Sequence, residues 1–131
     1  FDFPVAATFR HFCIETLSSY TDDNQACISE VELLDDKGQV IDKTKWKVVD
    51  VDSELADQNL GVGENLYDGD VSSFWHTDPT AKASHPHQII IDMQEIYKVT
   101  AFRVKVREGS FLSGKVKEFQ LYTRPQFFLF H

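Results

Sequence analysis

The sequence predicts an all-β sandwich, and three observations carry that expectation. No long helical stripe runs anywhere in the 131 residues; apolar and polar residues instead alternate over short segments. Val99 to Arg107 is the clearest of these, with Phe102, Val104 and Val106 pointing one way and Arg103, Lys105 and Arg107 the other, as in a strand with one buried face. Turn-forming stretches separate such segments at regular spacing, the pattern of two packed sheets whose loops gather at one end.

Taken in order, Phe9 to Leu17 and Ala26 to Leu34 are β-type segments on either side of SSYTDDNQ, so the first unit reads as a hairpin, closed by the DDKG turn at 35–38. Trp46 to Val51 alternates again, with Trp46, Val48 and Asp50 on one side. DSELADQN, which follows, suits a short helical turn. His87 to Met93 is a nearly continuous apolar run, HQIIIDM, consistent with a central strand covered on both faces. After the REGSFLSGK loop, Val116 to Thr123 is a further strand, and Pro125 interrupts before the apolar tail FFLFH.

The chain reads as one domain over residues 1–131, large enough to bury a core without staples. A formal net charge of -8 argues against nucleic acid or an anionic membrane surface as partner, since either needs a basic patch. No apolar run reaches spanning length, so membrane insertion is not expected. A start at Phe1 rather than Met suggests a segment of a larger, multidomain protein. Cys13 and Cys27 are too few for a disulfide framework and are expected as free thiols, although hairpin register would allow them to pair.

One stretch concentrates chemistry: Asn65 to Thr77, NLYDGDVSSFWHT. Asp68 and Asp70 flank Gly69, which lets the backbone fold back, and Ser73 adds another oxygen, so hard ligands for a cation converge in a few residues. The competing reading is an Asp-Gly turn whose carboxylates bond their own backbone. Trp75, His76 and Thr77 follow directly; a hydrogen-bonding ring beside a large apolar one suits a small polyhydroxylated ligand better than a catalytic step.

The blocks DVDSE (50–54), NLYDGDVSSFWHT (65–77), HPHQIIIDM (85–93), Val99 to Arg107 and VKEFQLYT (116–123) together resemble the discoidin or coagulation factor V/VIII C-type domain. Within it they are most similar to family 32 carbohydrate-binding modules of the galactose-binding, bacterial sialidase type. The resemblance implies a β-jelly-roll sandwich, the galactose-binding-domain-like fold, with one structural calcium. The first forty residues depart from the family's order: they look like the strand pair that usually closes such a module. A circular permutation explains this, as does a fragment cut across two tandem modules.

The resemblance places calcium on side chains of Asp68, Asp70, Ser73 and Glu30 and on main-chain carbonyls of Asn65 and Ser29. It places a sugar on Glu54, His76 and Arg107, whose carboxylate, imidazole and guanidinium can bracket vicinal hydroxyls at fixed angles. Each of the three also has a plain structural role open to it, as a turn charge, a packed loop histidine and an exposed strand end. Where the family carries a second Trp this chain has Pro79, so Phe111 is the candidate aromatic face. Trp75 is expected in the core rather than in the site.

The implied partner is a galactose-type glycan, and the implied location extracellular, at the cell surface or periplasmic. Two other readings compete. His76, Asp78, His85 and His87 could hold zinc for a hydrolase, but no nucleophile elbow, phosphate loop or paired acid and nucleophile accompanies them, so no enzyme activity is expected. Alternatively, Phe111 and Leu112 form an apolar loop tip of an adhesion module that binds protein, the acidic balance counting against phospholipid.

Overall fold

The computed structural model describes residues 2–20, 24–80, 84–106, 115–123 and 127–130. Among the described residues eight strands form: β1 (Asp2–Ser19), β2 (Cys27–Ile28), β3 (Glu30–Asp35), β4 (Lys47–Val51), β5 (Trp75–His76), β6 (His87–Lys105), β7 (Val116–Thr123) and β8 (Phe127–Phe130). Two short 3-10 turns, Asp57–Asn59 and Gly63–Tyr67, lie between β4 and β5. No helix among the described residues is long and apolar enough to cross a membrane.

Two long strands organise the sandwich. The second half of β1 lies between the first half of β6 and β7, pairing Ile14 with both Ile89 and Leu121. The first half of β1 pairs with the second half of β6, as Phe3 with Phe102. On its other edge β6 carries β4 along residues 89–92 and β3 along 99–105. Both strands therefore bend from one layer into the other, with register shifts between Pro4 and Ala7 and between Phe9 and His11 in β1, and a positive φ of 71° at Gln94 in β6. Bulges are the usual device for turning a strand from one sheet to the next.

The core fills the space between the layers. Phe12, from one layer, stands edge-on to Phe102 of the other at 6.5 Å, and Phe119 meets Phe102 at 5.9 Å and Phe3 at 5.4 Å. Ile14, Leu33, Ile89, Ile91, Phe102 and Leu121 are fully buried. Burying one such side chain is worth about 1.5–3 kcal/mol, which is why the period-2 pattern decides the fold.

Three expectations need correction. The segments 9–17 and 26–34 are not a hairpin: β6 lies between β1 and β3, and both pair with it. The connection from Ser19 to Cys27 is longer than a tight hairpin allows, and it carries the chain to the other edge of β6. Residues 87–93 and 99–107 are not two strands but parts of one, because QEIYK between them holds no Gly or Pro to stop it and bends at Gln94 instead. Val106 lies beyond β6, which ends at Lys105, and is 43% exposed rather than on the buried face expected for it.

Candidate functional site

The end of the sandwich that carries β5 is built by hydrogen bonds between the segment 52–55 and the WHT motif. Asp52 binds the first residues of β6, its Oδ1 accepting Gln88 N–H at 2.8 Å and its Oδ2 lying 2.9 Å from His87 Nδ1. Ser53 accepts twice, its carbonyl from the Trp75 indole N–H at 3.0 Å and its hydroxyl from Asp78 N–H at 2.9 Å. Leu55 N–H donates to the His76 carbonyl at 2.8 Å, and His76 N–H donates to the Gly61 carbonyl at 3.0 Å. Trp75 is fully buried, as its expected core role requires. Thr77 secures the other flank, exchanging main-chain and side-chain bonds with Ala26 at 3.0 Å.

Glu54 thus stands one residue from the backbone bond that reaches His76. Its Oε2 accepts Gly63 N–H at 2.8 Å, fixing the carboxylate. His76 is buried at 7% exposure, and its Nδ1 lies 2.5 Å from the Thr77 carbonyl. A carbonyl can only accept, so Nδ1 carries a proton, and in the neutral ring Nε2 presents a lone pair. Phe74 packs against the imidazole, ring centroids 6.2 Å apart. Gly61 is required here by close approach: a Cβ on it would meet His76 Cβ at 2.9 Å and Leu55 Cβ at 3.0 Å.

The acidic loop lies beside this end and is tied to the first part of the chain. Gly69, at φ 79°, turns its N–H onto Glu30 Oε2 at 3.1 Å. Asp68 accepts from Asp70 N–H at 2.9 Å and, through its other oxygen, from the Ser73 hydroxyl. Ser73 Oγ also lies 2.9 Å from the Asp70 carbonyl, whereas the Asp70 carboxylate turns to Ser72, whose hydroxyl and N–H hold it below the usual carboxylate range. Ser29 Oγ meets the carbonyls of Val71 at 2.6 Å and Ser73 at 3.1 Å. The Asn65 side chain donates to Asn59, Leu60 and Phe74 carbonyls, closing the loop's base.

Glu30 is the outlier in this set. It is 2% exposed, its Oε1 is buried without a partner, and burial pushes its carboxyl above the ordinary range against the opposing Lys43 ammonium, 2.5 Å from Oε2. The sequence reading missed Lys43 and Gly61. No local pattern marks a lysine that pairs with a glutamate thirteen residues earlier, whereas the Gly61-Val62-Gly63 spacing is a signal from which close backbone approach could have been expected.

Arg107 and Phe111 lie outside the described residues. The histidines considered for zinc are used elsewhere: His87 Nε2 meets the Asn24 carbonyl at 2.7 Å and its Nδ1 meets Asp52, while His85 Nδ1 lies 3.3 Å from Thr16 Oγ1. Among the described residues no group of three or more His, Cys, Asp or Glu side chains is arranged to hold a metal, so any cation at the acidic loop would lean on serine and carbonyl oxygens as well. Cys13 and Cys27 are not joined in a disulfide, and burial, with Glu15, Asp50 and Asp52 nearby, pushes the Cys13 thiol up to about 11.

The family model described as the F5/8 type C domain matches residues 48–126. The chain belongs to this family. F5/8 type C domains are non-catalytic binding modules, and the β-sandwich described above is their fold. Among curated proteins, a sialidase of Micromonospora viridifaciens is 28% identical over 86 residues, a match covering 64% of this chain and 13% of that enzyme. Family and relative together support a carbohydrate-binding role for this F5/8 type C domain. Its first 47 residues lie outside the family match, yet β1 from that stretch sits at the centre of the sheet and β2 pairs with the WHT strand.

Proposed function

We propose that this F5/8 type C domain binds galactose-type glycans weakly at the loop end of the sandwich, through Glu54, His76 and Arg107, with Phe111 as the stacking face. The observation that supports the reading is the paired bonding of Leu55 and Gly61 to the His76 backbone, which ties the residue after Glu54 to the strand that carries His76. Glu54 has one carboxylate oxygen committed to Gly63, and His76 offers Nε2 as an acceptor. Both residues therefore ask for donors, and sugar hydroxyls supply them; the Arg107 guanidinium supplies the complementary donors. A vicinal pair of hydroxyls is selected by angle, so an axial hydroxyl is told from an equatorial one.

With Pro79 in place of a second Trp, affinity is modest, with dissociation constants of roughly 0.1 to 10 mM, because each hydroxyl exchanges water for protein at small net gain. Attachment to a larger glycosidase or surface protein makes such weakness useful through local concentration. Calcium belongs to the same reading as a structural ion of the loop at 65–73. Its ligands would be side-chain oxygens of Asp68, Asp70, Ser73 and Glu30 with the Asn65 and Ser29 carbonyls; in support, Asp68 and Ser73 lie within one turn and Glu30 brings a buried oxygen without a partner, while the Asp70 carboxylate, now bonded to Ser72, would have to turn inward. When bound, the ion would supply positive charge and a fixed geometry to the loop that leads into the WHT motif.

Calorimetric titration with galactose and with glucose, on the domain and on His76→Ala, tests the site. Galactose binding that exceeds glucose binding and disappears in His76→Ala is the expected result; equal binding of the two sugars removes the specificity claim.

A further inference from the structure

We propose that Lys43 is a built-in counter-cation of the acidic loop, holding in the free protein the charge position beside Glu30 that a bound divalent cation competes for. The inference rests on reading the loop as a cation site. Its own observation is separate. The Lys43 ammonium lies 2.5 Å from Glu30 Oε2, on the same oxygen that accepts Gly69 N–H at 3.1 Å. The lysine comes from the segment after β3, so one carboxylate oxygen joins three stretches of chain: β3, the connection to β4 and the acidic loop.

Glu30 is 2% exposed and Lys43's side chain 13%, so neither charge is well solvated. A buried carboxylate left unpaired is strongly unfavourable. The ammonium therefore lets the loop keep its folded shape without any ion. The same ammonium opposes an incoming ion, because two cations sharing one carboxylate in a poorly solvated site repel. An alternative berth is at hand: Glu32 Oε2 lies 4.0 Å from Lys43 Nζ, and Glu32 already receives Arg103 at 3.3 Å and Lys105 at 3.9 Å. Displaced from Glu30, Lys43 shifts toward Glu32, which lies two residues along the same face of β3 and is 17% exposed. The loop thus exchanges an internal cation for an external one, and calcium affinity is set partly by a residue that is not a ligand.

The test compares wild type and Lys43→Met by calorimetric titration with calcium chloride and by thermal melts in chelator. The expected result is calcium binding tighter by about tenfold or more in Lys43→Met, with a lower melting temperature in chelator, since removing one charge near a divalent ion relieves repulsion while leaving Glu30 uncompensated. Calcium binding by Lys43→Met alone supports the proposal equally. If Lys43→Met does not fold, acetylation of Lys43 in wild type, read by mass spectrometry, replaces it: calcium should raise labelling at Lys43. Equal or weaker calcium binding by the variant, or labelling indifferent to a bound calcium, overturns the counter-cation role and leaves the calcium reading standing. No calcium binding by either protein overturns both.

Discussion

At the scale of single residues, the binding end depends on places where nothing larger fits. Gly61 is the sharpest case, with His76 Cβ, His76 O and Leu55 Cβ all within 3.0 Å of where a methyl group would stand. Gly61→Ala should cost about 1–3 kcal/mol, the range for overpacking a closed site. The expected signature is selective: urea unfolding reads a modest loss, while sugar affinity falls far more, because the strain is relieved by moving His76. A variant that loses stability but keeps full sugar affinity would show that His76 is not part of the site. The His76 tautomer follows from one bond, to the Thr77 carbonyl at 2.5 Å, and decides what the ring offers a ligand. Gly63 is less rigidly confined, since a Cβ there meets Ile89 Cδ1 at 2.6 Å, the far end of a side chain that can turn aside.

At the scale of elements, β1 and β6 carry the molecule, and an ion pair marks the point where their register shifts. Arg10 Nε donates to Asp92 Oδ1 at 2.8 Å, beside His11 at 3.3 Å from Oδ2. The Arg10 hydrogen bond, first among several contributions, holds the Asp92 carboxyl down to about 2. Its folded-state value lies below the unfolded one, so the unfolded chain binds the proton more readily and stability falls with acid. The contribution is complete above the ordinary carboxylate range and is lost as pH falls through about 2. Acid titration followed by circular dichroism should therefore be steeper for wild type than for Asp92→Asn between about pH 4 and 2; curves of equal slope would remove the pair from the account.

The acidic loop is the other element with a distinct response. Calcium at about a hundred times its dissociation constant stabilises a protein by about 2.7 kcal/mol, or about 10 °C in melting temperature for a domain of this size. Asp68→Ala should lose most of that gain in calcium and change little in chelator. Equal losses in both media would mean that Asp68 serves only its own turn.

Which elements were legible follows from what each signal contains. Strand β7 lies where alternation places it, with Phe119 and Leu121 buried, whereas in β4 a register shift between Val48 and Asp50 breaks the expected alternation, so that Val48 and Val51 both pack against the core and Asp50 is exposed. Alternation is local, so it cannot tell which strands pair. The supposed hairpin of β1 and β3 failed for that reason, since only the long β6 decides that both lie against it. Nor does alternation reveal a strand that bends without stopping, as β6 does at Gln94. Glu54 and His76 are named as sugar ligands by resemblance alone, from blocks whose order is characteristic of the family. Lys43 was not legible, since its importance comes entirely from a fold that sets it against Glu30.

For the whole molecule, one arrangement links the acidic loop to the WHT strand. Ser29 and Glu30 hold the acidic loop, Cys27 and Ile28 pair with His76 and Trp75, and Ala26 bonds Thr77, so five consecutive residues from the early part of the chain support both loop and binding end. Ordering the loop therefore bears directly on the strand that presents His76. The most direct test of the central claim is chemical-shift mapping on the isotopically labelled domain during titration with galactose, N-acetylgalactosamine and glucose. The account predicts saturable shifts with the two galactose-type sugars, centred on Glu54, Gly61, His76 and Arg107, and much smaller shifts with glucose. Shifts that avoid these residues, or glucose binding as strong as galactose, would contradict it.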